Sequence, residues 1–262
     1  MAYSYIQRGD KVAMGEYDEP GIKTSSAHLT GHVAKSANIL DVGCGSGIIT
    51  AHLARLADKG HTIGIDNSRS SIDQAKASFP ATSMPNINFV VGDTTKLVEF
   101  ADNTFDIVHA HMFLVRATDP IAVFKEFYRV CKPGGFVACR ELNHSSLLTL
   151  KPDLPSIRHY LDRGKGLMIE AGMNLDAGSK LETWAKEAGF GSGGSRIVIT
   201  KSPMPIPGQL DLVTGDNAER ALKHGIARKE EIDSWAASWS KWDATEGKEF
   251  VLECQEIICW KS

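Results

Sequence analysis

The stretch ILDVGCGSGIIT, residues 39–50, constrains the fold more than any other part of the chain. An apolar run reaches Asp41 and Val42, glycines follow at 43, 45 and 47, and a helical pattern starts at Ile48. The spacing is not the G-x-G-x-x-G of a dinucleotide fingerprint, whose third glycine comes one place later. It is not a phosphate-binding P-loop either, because no Gly-Lys-Ser/Thr follows. A strand that runs into a turn stripped of Cβ atoms, and then into a helix, leaves room for a ligand to lie against the main chain.

The rest of the chain repeats the strand–helix alternation. A helix is expected over 25–37, a strand over 38–42 and a helix over 48–57. Strand 61–66, serine-capped helix 70–79 and strands 87–93 and 105–111 come next. Proline in the first turn opens a helix at 120–130. KPGG reads as a turn, and 136–142 as the fifth strand. Such alternation predicts an α/β fold, a doubly wound, mostly parallel seven-stranded sheet. The later third reads differently: 143–178 as loop and helix, 181–188 as a helix closed by Gly189, and 196–201 as a strand. Helices over 215–224 and 228–242 lead to a last strand over 249–261. With no crossover helix of the earlier kind, the last two strands are expected as an antiparallel pair at the sheet edge. Trp235, Trp239 and Trp242 fall at i, i+4 and i+7, on one face of their helix.

Composition narrows the function. The 262 residues carry a formal charge of −3 with 42% hydrophobic and 23% charged residues, ordinary for a globular chain. No basic cluster marks a nucleic-acid footprint. The N-terminal stretch has no apolar signal-peptide core, and no run approaches the roughly 20 apolar residues of a membrane span. Five cysteines form no C-x-x-C pair, which suits a reducing, cytoplasmic setting. No His/Cys/Asp cluster has metal-ligand spacing, so no metal is expected.

In a doubly wound sheet the ligand lies beyond the carboxyl ends of the strands. Four consecutive ends carry suitable residues here. The first has the glycine turn. The second ends in Asp66, able to take both hydroxyls of a ribose. The third ends in Gly92, Asp93 and Thr94, which offer an acceptor and a donor to an adenine edge. The fourth ends in His109-Ala110-His111. A glycine turn with a ribose carboxylate and no phosphate-binding features suits a nucleoside without a pyrophosphate.

On these motifs the chain resembles the class I S-adenosylmethionine-dependent methyltransferases. DVGCGSG is similar to their D/E-x-G-x-G-x-G motif, GID to the acidic second-strand end and GD to the third. FDIVHAH resembles the fourth strand and VCKPGG the turn before the fifth. More narrowly the chain is similar to the small methyltransferases of ubiquinone and menaquinone biosynthesis. The resemblance implies that Gly43, Cys44, Gly45 and Gly47 wrap the methionine part and ribose of S-adenosyl-L-methionine. It implies that Asp66 binds the ribose with Asn67 and Ser68 beside it, and that Gly92, Asp93 and Thr94 hold the adenine. His109 would lie near the amino-acid part or the sulfonium, and Asp41 under the loop. It also implies one domain over 1–262, with 1–24, carrying Tyr3, Tyr5 and Tyr17, as a lid. Segments 143–178 and 203–247 would cap the acceptor.

The expected reaction is methyl transfer to a small, apolar or aromatic metabolite, by a monomer or homodimer without nucleic acid or membrane span. Two alternatives stand beside it: a protein that uses the bound cofactor for a dehydration or pericyclic step, and a non-catalytic regulator. A base is needed only where the acceptor must lose a proton. His111, Glu141 and His144 are the candidates. His109 and His111 are read as facing opposite sides of the strand, leaving one for a pocket. Glu141 and Asn143 are read as a strand-end rim.

Overall fold

A computed structural model describes residues 26–206 and 208–262. Among these, seven strands form one sheet: β1 (Asn38–Val42), β2 (His61–Asp66), β3 (Ile87–Val91), β4 (Phe105–His111), β5 (Cys131–Lys151), β6 (Ile197–Pro205) and β7 (Glu249–Trp260). Besides the helical residues 26–30, the described residues form α1 (Ile48–Leu56), α2 (Arg69–Ser78), α3 (Pro120–Val130), α4 (Pro155–Glu170), α5 (Ala177–Glu187), α6 (Gly215–Lys223) and α7 (Lys229–Asp243). The strand order is β3-β2-β1-β4-β5-β7-β6. β1 pairs in parallel with β2 on one side and β4 on the other, so the winding reverses at β1, the switch point where such sheets bind ligands. β2–β3 and β4–β5 are parallel too.

The edge is the antiparallel pair the sequence suggests. The Trp260 N–H donates to Arg196 O and the Ile206 N–H to Phe250 O, so β6 and β7 run in opposite directions. Within that pair β7 lies inside and β6 forms the edge.

Two element boundaries differ from expectation. The helix expected over 25–37 is helical only over 26–30 among the described residues, and turns follow. Gly31 stands where the helix stops, and glycine lacks the helix propensity to carry it on. KPGG is not a separate turn but a bulge within β5. Phe105 pairs with Cys131 and Ile107 with Phe136, so four residues of β5 fit opposite one of β4. The strand then runs nine residues past 142, to Lys151. The lid expected over 1–24, with its three tyrosines, lies outside the described residues.

The chain divides into two compact units. The described part of the larger holds residues 26–142, 176–202 and 254–262. One of its clusters joins Ile39, Ile107, Ala138 and Ile258 of the sheet to Leu53 and Ala57 and to Leu29. Another joins Ala51 and Ala54 of α1 to Ile72 and Ala75 of α2 and Phe89 of β3. Each such aliphatic side chain contributes about 1.5–3 kcal/mol on burial. These clusters clamp α1 and α2 beside the strand ends they follow.

The smaller unit holds 143–175 and the described part of 203–253. Its core is the tryptophan stripe of α7. Trp235, Trp239 and Trp242 are buried. The Tyr160 ring meets Trp235 and Trp239 edge-on at 5.5 and 5.8 Å.

Candidate functional site

The glycine turn is bare for two separate reasons. All three glycines are left-handed, with φ of +73°, +53° and +80° at 43, 45 and 47, where a side chain costs roughly 1–2 kcal/mol. At Gly43 an added Cβ would stand 2.7 Å from the Phe113 ring, and at Gly47 2.6 Å from the Phe89 ring. Those two glycines permit close packing behind the turn. At Gly45 an added Cβ would meet no atom of the described residues within 4 Å, so among them this residue faces open space. The turn is anchored to the neighbouring strand, since Gly43 and Cys44 both donate to Ile65 O, at 2.9 and 3.1 Å.

Asp66 closes that corner. One carboxylate oxygen accepts from the Gly45 N–H at 2.9 Å and the other from the Ser68 N–H at 2.8 Å. A carboxylate offers about four lone-pair sites, so each oxygen keeps one for a further donor. Asn67 is exposed beside it, while the Ser68 hydroxyl caps α2 by accepting from the Ser71 N–H. Gly92 follows β3 and donates to Asp66 O at 3.1 Å, which ties the second and third strand ends together. Asp93 is exposed. Hydrogen bonds from the Thr95 hydroxyl and N–H hold its carboxyl below the usual range. Thr94 is buried. Open space over a left-handed glycine, flanked by a carboxylate with spare acceptors, fits the nucleoside and amino-acid parts of S-adenosylmethionine.

Asp41 is buried under the turn, as expected, and His109 lies deeper than expected. His109 is fully buried two residues short of the end of β4, and its Nδ1 is 2.7 Å from Asp41 Oδ1. The other Asp41 oxygen accepts from the Thr50 hydroxyl at 2.5 Å. A buried carboxylate must collect donors, and these two supply them. His109 therefore braces the strand beneath the turn and does not stand at the rim.

The two histidines also share a face of β4, contrary to the opposite faces expected, because residues i and i+2 of a strand point the same way. Both lie within electrostatic reach of His28. His111 Nε2 is 3.2 Å from an Arg140 NH group. A guanidinium only donates, so Nε2 is the acceptor and the ring proton sits on Nδ1. That lone pair is occupied, which argues against His111 as a base. Arg140 in turn donates to Glu256 at 3.2 Å, and Glu256 accepts from Thr200 and Ser202.

Glu141 too departs from the rim position expected of it. It is fully buried and not at a rim, because β5 continues past it and its carboxylate accepts from the N–H groups of Phe113, Leu114 and Val115. Burial pushes its carboxyl up to about 7, against the pull of those three donors. His144 belongs to the smaller unit, where its N–H donates to Leu175 O. Asp41, the three glycines, Asp66 and His109 are thus gathered where β1, β2 and β4 end. Thr50, Phe113, Arg140 and Glu256 complete the surroundings and carry no local sequence signal.

A cavity of about 500 Å³ opens in the larger unit against His28, Val198, Thr200, Ser202, Ile258 and Trp260. Both His28 ring nitrogens are buried without a hydrogen-bond partner. Burial and the fields of His109, Arg140 and His111 push its pKa down to about 3, so the ring is neutral. Among the described residues no group of acids, histidines and cysteines could hold a metal ion, and no helix is long and apolar enough to cross a membrane.

Residues 40–139 match the family model described as a methyltransferase domain. The chain is 34% identical to an uncharacterized methyltransferase of Schizosaccharomyces pombe over 174 residues, 64% of this chain and 62% of that protein. It is 37% identical to a demethylmenaquinone methyltransferase of Lactococcus lactis over 42% of this chain and 44% of the relative. The matches thus span less than two thirds of these relatives' own lengths. Among solved structures, the YcgJ protein of Bacillus subtilis superposes with a TM-score of 0.58 at 17% identity, over 91% of this chain and 98% of that one, a likeness of fold.

Proposed function

We propose that this chain is a class I S-adenosylmethionine-dependent methyltransferase and that it methylates a small apolar or aromatic metabolite. The observation that carries the reading is the open, left-handed Gly45 joined to Asp66 at the adjoining strand end. In it, Gly43, Cys44, Gly45 and Gly47 receive the methionine part and ribose of the cofactor. Asp66 takes the ribose hydroxyls with Asn67 and Ser68 alongside. Gly92, Asp93 and Thr94 form the adenine side, while Asp41 and His109 support the turn from below.

Bound S-adenosylmethionine supplies a methyl group that is already electrophilic. What the chain must add is alignment, since fixing two reactants in line can remove about 7–11 kcal/mol of a barrier. A turn tied to Ile65 O, and a carboxylate fixed by two N–H groups, are rigid enough for that task. No base is assigned: the His111 lone pair faces Arg140, and the Glu141 oxygens face three backbone donors.

In this reading the cavity beside His28 receives the acceptor: about 500 Å³ suits a small metabolite, and its lining joins apolar Val198, Ile258 and Trp260 to charged Arg196, Lys201 and Glu256. In the same reading the chain forms one functional domain with 1–24 as lid and 143–178 and 203–247 as acceptor caps. It works in a reducing, cytoplasmic setting, as a monomer or homodimer that needs no nucleic acid.

Incubation of metabolite extract with methyl-labelled S-adenosylmethionine tests the reading. The expected result is a labelled small molecule formed in step with S-adenosylhomocysteine. Substrate conversion without S-adenosylhomocysteine would sink methyl transfer in favour of a dehydration or pericyclic step. A wild-type chain that fails to bind either form of the cofactor would remove both.

A further inference from the structure

The loop after β4 is held by β5 at two adjacent residues. Met112, left-handed at φ +49°, donates its N–H to Arg140 O at 2.9 Å. Beyond it, one Glu141 oxygen accepts from the Phe113 and Leu114 N–H groups at 2.8 and 2.6 Å, and the other from the Val115 N–H at 3.3 Å. Leu114–Arg116 is a single 3-10 turn, whose first N–H groups have no partner within the turn. A buried carboxylate from another strand thus caps it, in the manner of an anion cradled by successive N–H groups.

The held loop reaches the cofactor turn through one ring. Phe113 occupies the space beside Gly43 that a Cβ would need, and its ring centroid lies 6.5 Å from that of Phe127 on α3. A shift of the 113–115 backbone would move that ring, and the ring backs the glycine turn.

We propose that Glu141 is a positioning residue of the cofactor site: by holding the N–H groups of 113–115 it seats Phe113 on Gly43 and fixes the shape of the glycine turn. This assigns it a part in a reaction in which it touches neither cofactor nor acceptor. The proposal rests on the methyltransferase reading only for the identity of the ligand. The groups that face the carboxylate besides the three N–H donors are Arg116, which favours its charge, and the buried Cys139 thiol. The hold should tighten as Glu141 ionises, which makes the effect readable in pH.

Calorimetry with S-adenosylhomocysteine on the wild type, Glu141→Gln, Phe113→Ala and the double variant tests this. Each single change should weaken binding by about 10-fold or more, and the double should be little worse than the poorer single. Wild-type affinity should rise between about pH 6 and 8, and Glu141→Gln should lose that slope. Losses that multiply, or an unchanged Glu141→Gln affinity, would overturn the proposal while leaving the methyltransferase reading intact. Wild type that does not bind would sink that reading instead, and amide exchange on the ligand-free chain then decides the inference. Glu141→Gln should speed exchange at 43–47 as well as at 113–115. Acceleration confined to 113–115 overturns it. Should Glu141→Gln fail to fold, Glu141→Asp, with its shorter reach, replaces it in the affinity and exchange arms, and Glu141→Leu replaces it in the pH arm.

Discussion

Asp66 shows how much one residue can reveal and how much it hides. Its position after a short β-branched strand, 19 residues past the last glycine of the turn, marks it in the sequence as a ribose ligand. Its bonds to the Gly45 and Ser68 N–H groups give it a second task, which is to fix the turn. Asp66→Ala should therefore weaken S-adenosylhomocysteine by about 1.5–3 kcal/mol, the scale of hydrogen bonds to a charged group. The fold should survive, because both N–H groups are near enough to the surface for water to replace the carboxylate. Calorimetry beside a denaturant titration checks both halves, and an unchanged affinity would place the ribose elsewhere. The glycines and Asp66 are legible because their constraint is local: a turn needs left-handed residues, and a strand end needs a polar one. His109, Arg140 and Glu141 are not. Their partners lie 68, 116 and 26–28 residues away in the chain, and nothing in the neighbouring residues announces them.

Elements are legible where their period is strong and both ends are punctuated. Helix α7 is the best case, since three tryptophans at helical spacing leave only the question of what covers them. The answer is Tyr160 of α4 and Phe250 of β7, the latter 6.1 Å from Trp239. Trp239 is fully buried, so Trp239→Ala should cost about 3–5 kcal/mol, the range for emptying a large core site. A denaturant titration that showed no shift in midpoint would mean the stripe packs on nothing that matters to stability. The fifth strand is the opposite case. Asn143, His144, Ser145 and Ser146 read as loop, because polar residues with weak strand preference break the alternation. In the folded chain that stretch is part of a 21-residue strand. Its pairing is long-range, Asn143 donating to Glu253, and long-range pairing is what a single sequence displays least. The KPGG bulge hides for the same reason. Lys-Pro-Gly-Gly has the composition of a turn, and only the pairing of Cys131 and Phe136 with Phe105 and Ile107 of β4 shows that the strand continues through it.

At the scale of the whole molecule, the cysteines report on how firmly the fold is closed and whether the cofactor closes it further. Cys131, Cys139, Cys254 and Cys259 are buried thiols outside any disulfide among the described residues, and Cys44 is half-buried in the glycine turn. Burial pushes the Cys131 thiol up to about 12 and raises those of Cys44, Cys139 and Cys259, so little thiolate forms near neutral pH. A small alkylating reagent should thus label the native chain slowly, Cys44 first, and all five thiols at once after denaturation. The four buried thiols lie on β5 and β7, which have a strand on either side in the sheet order, so their exposure requires strands to separate. A ligand that binds only the closed chain stabilises it by RT ln(1 + [L]/Kd), about 2.7 kcal/mol at a hundredfold excess over Kd. S-adenosylhomocysteine at that level should slow labelling of the buried four about 100-fold, as read by mass spectrometry of intact protein. The Cys44 thiol should be slowed about as much, because at that excess only about 1% of chains are free of ligand and a thiol covered directly reacts only in those. If Cys44 kept its full labelling rate while the buried four were protected, the turn could not be the place where the cofactor sits. If the buried four gained none, cofactor binding and global closure would be uncoupled, and the turn would have to be a unit that opens by itself.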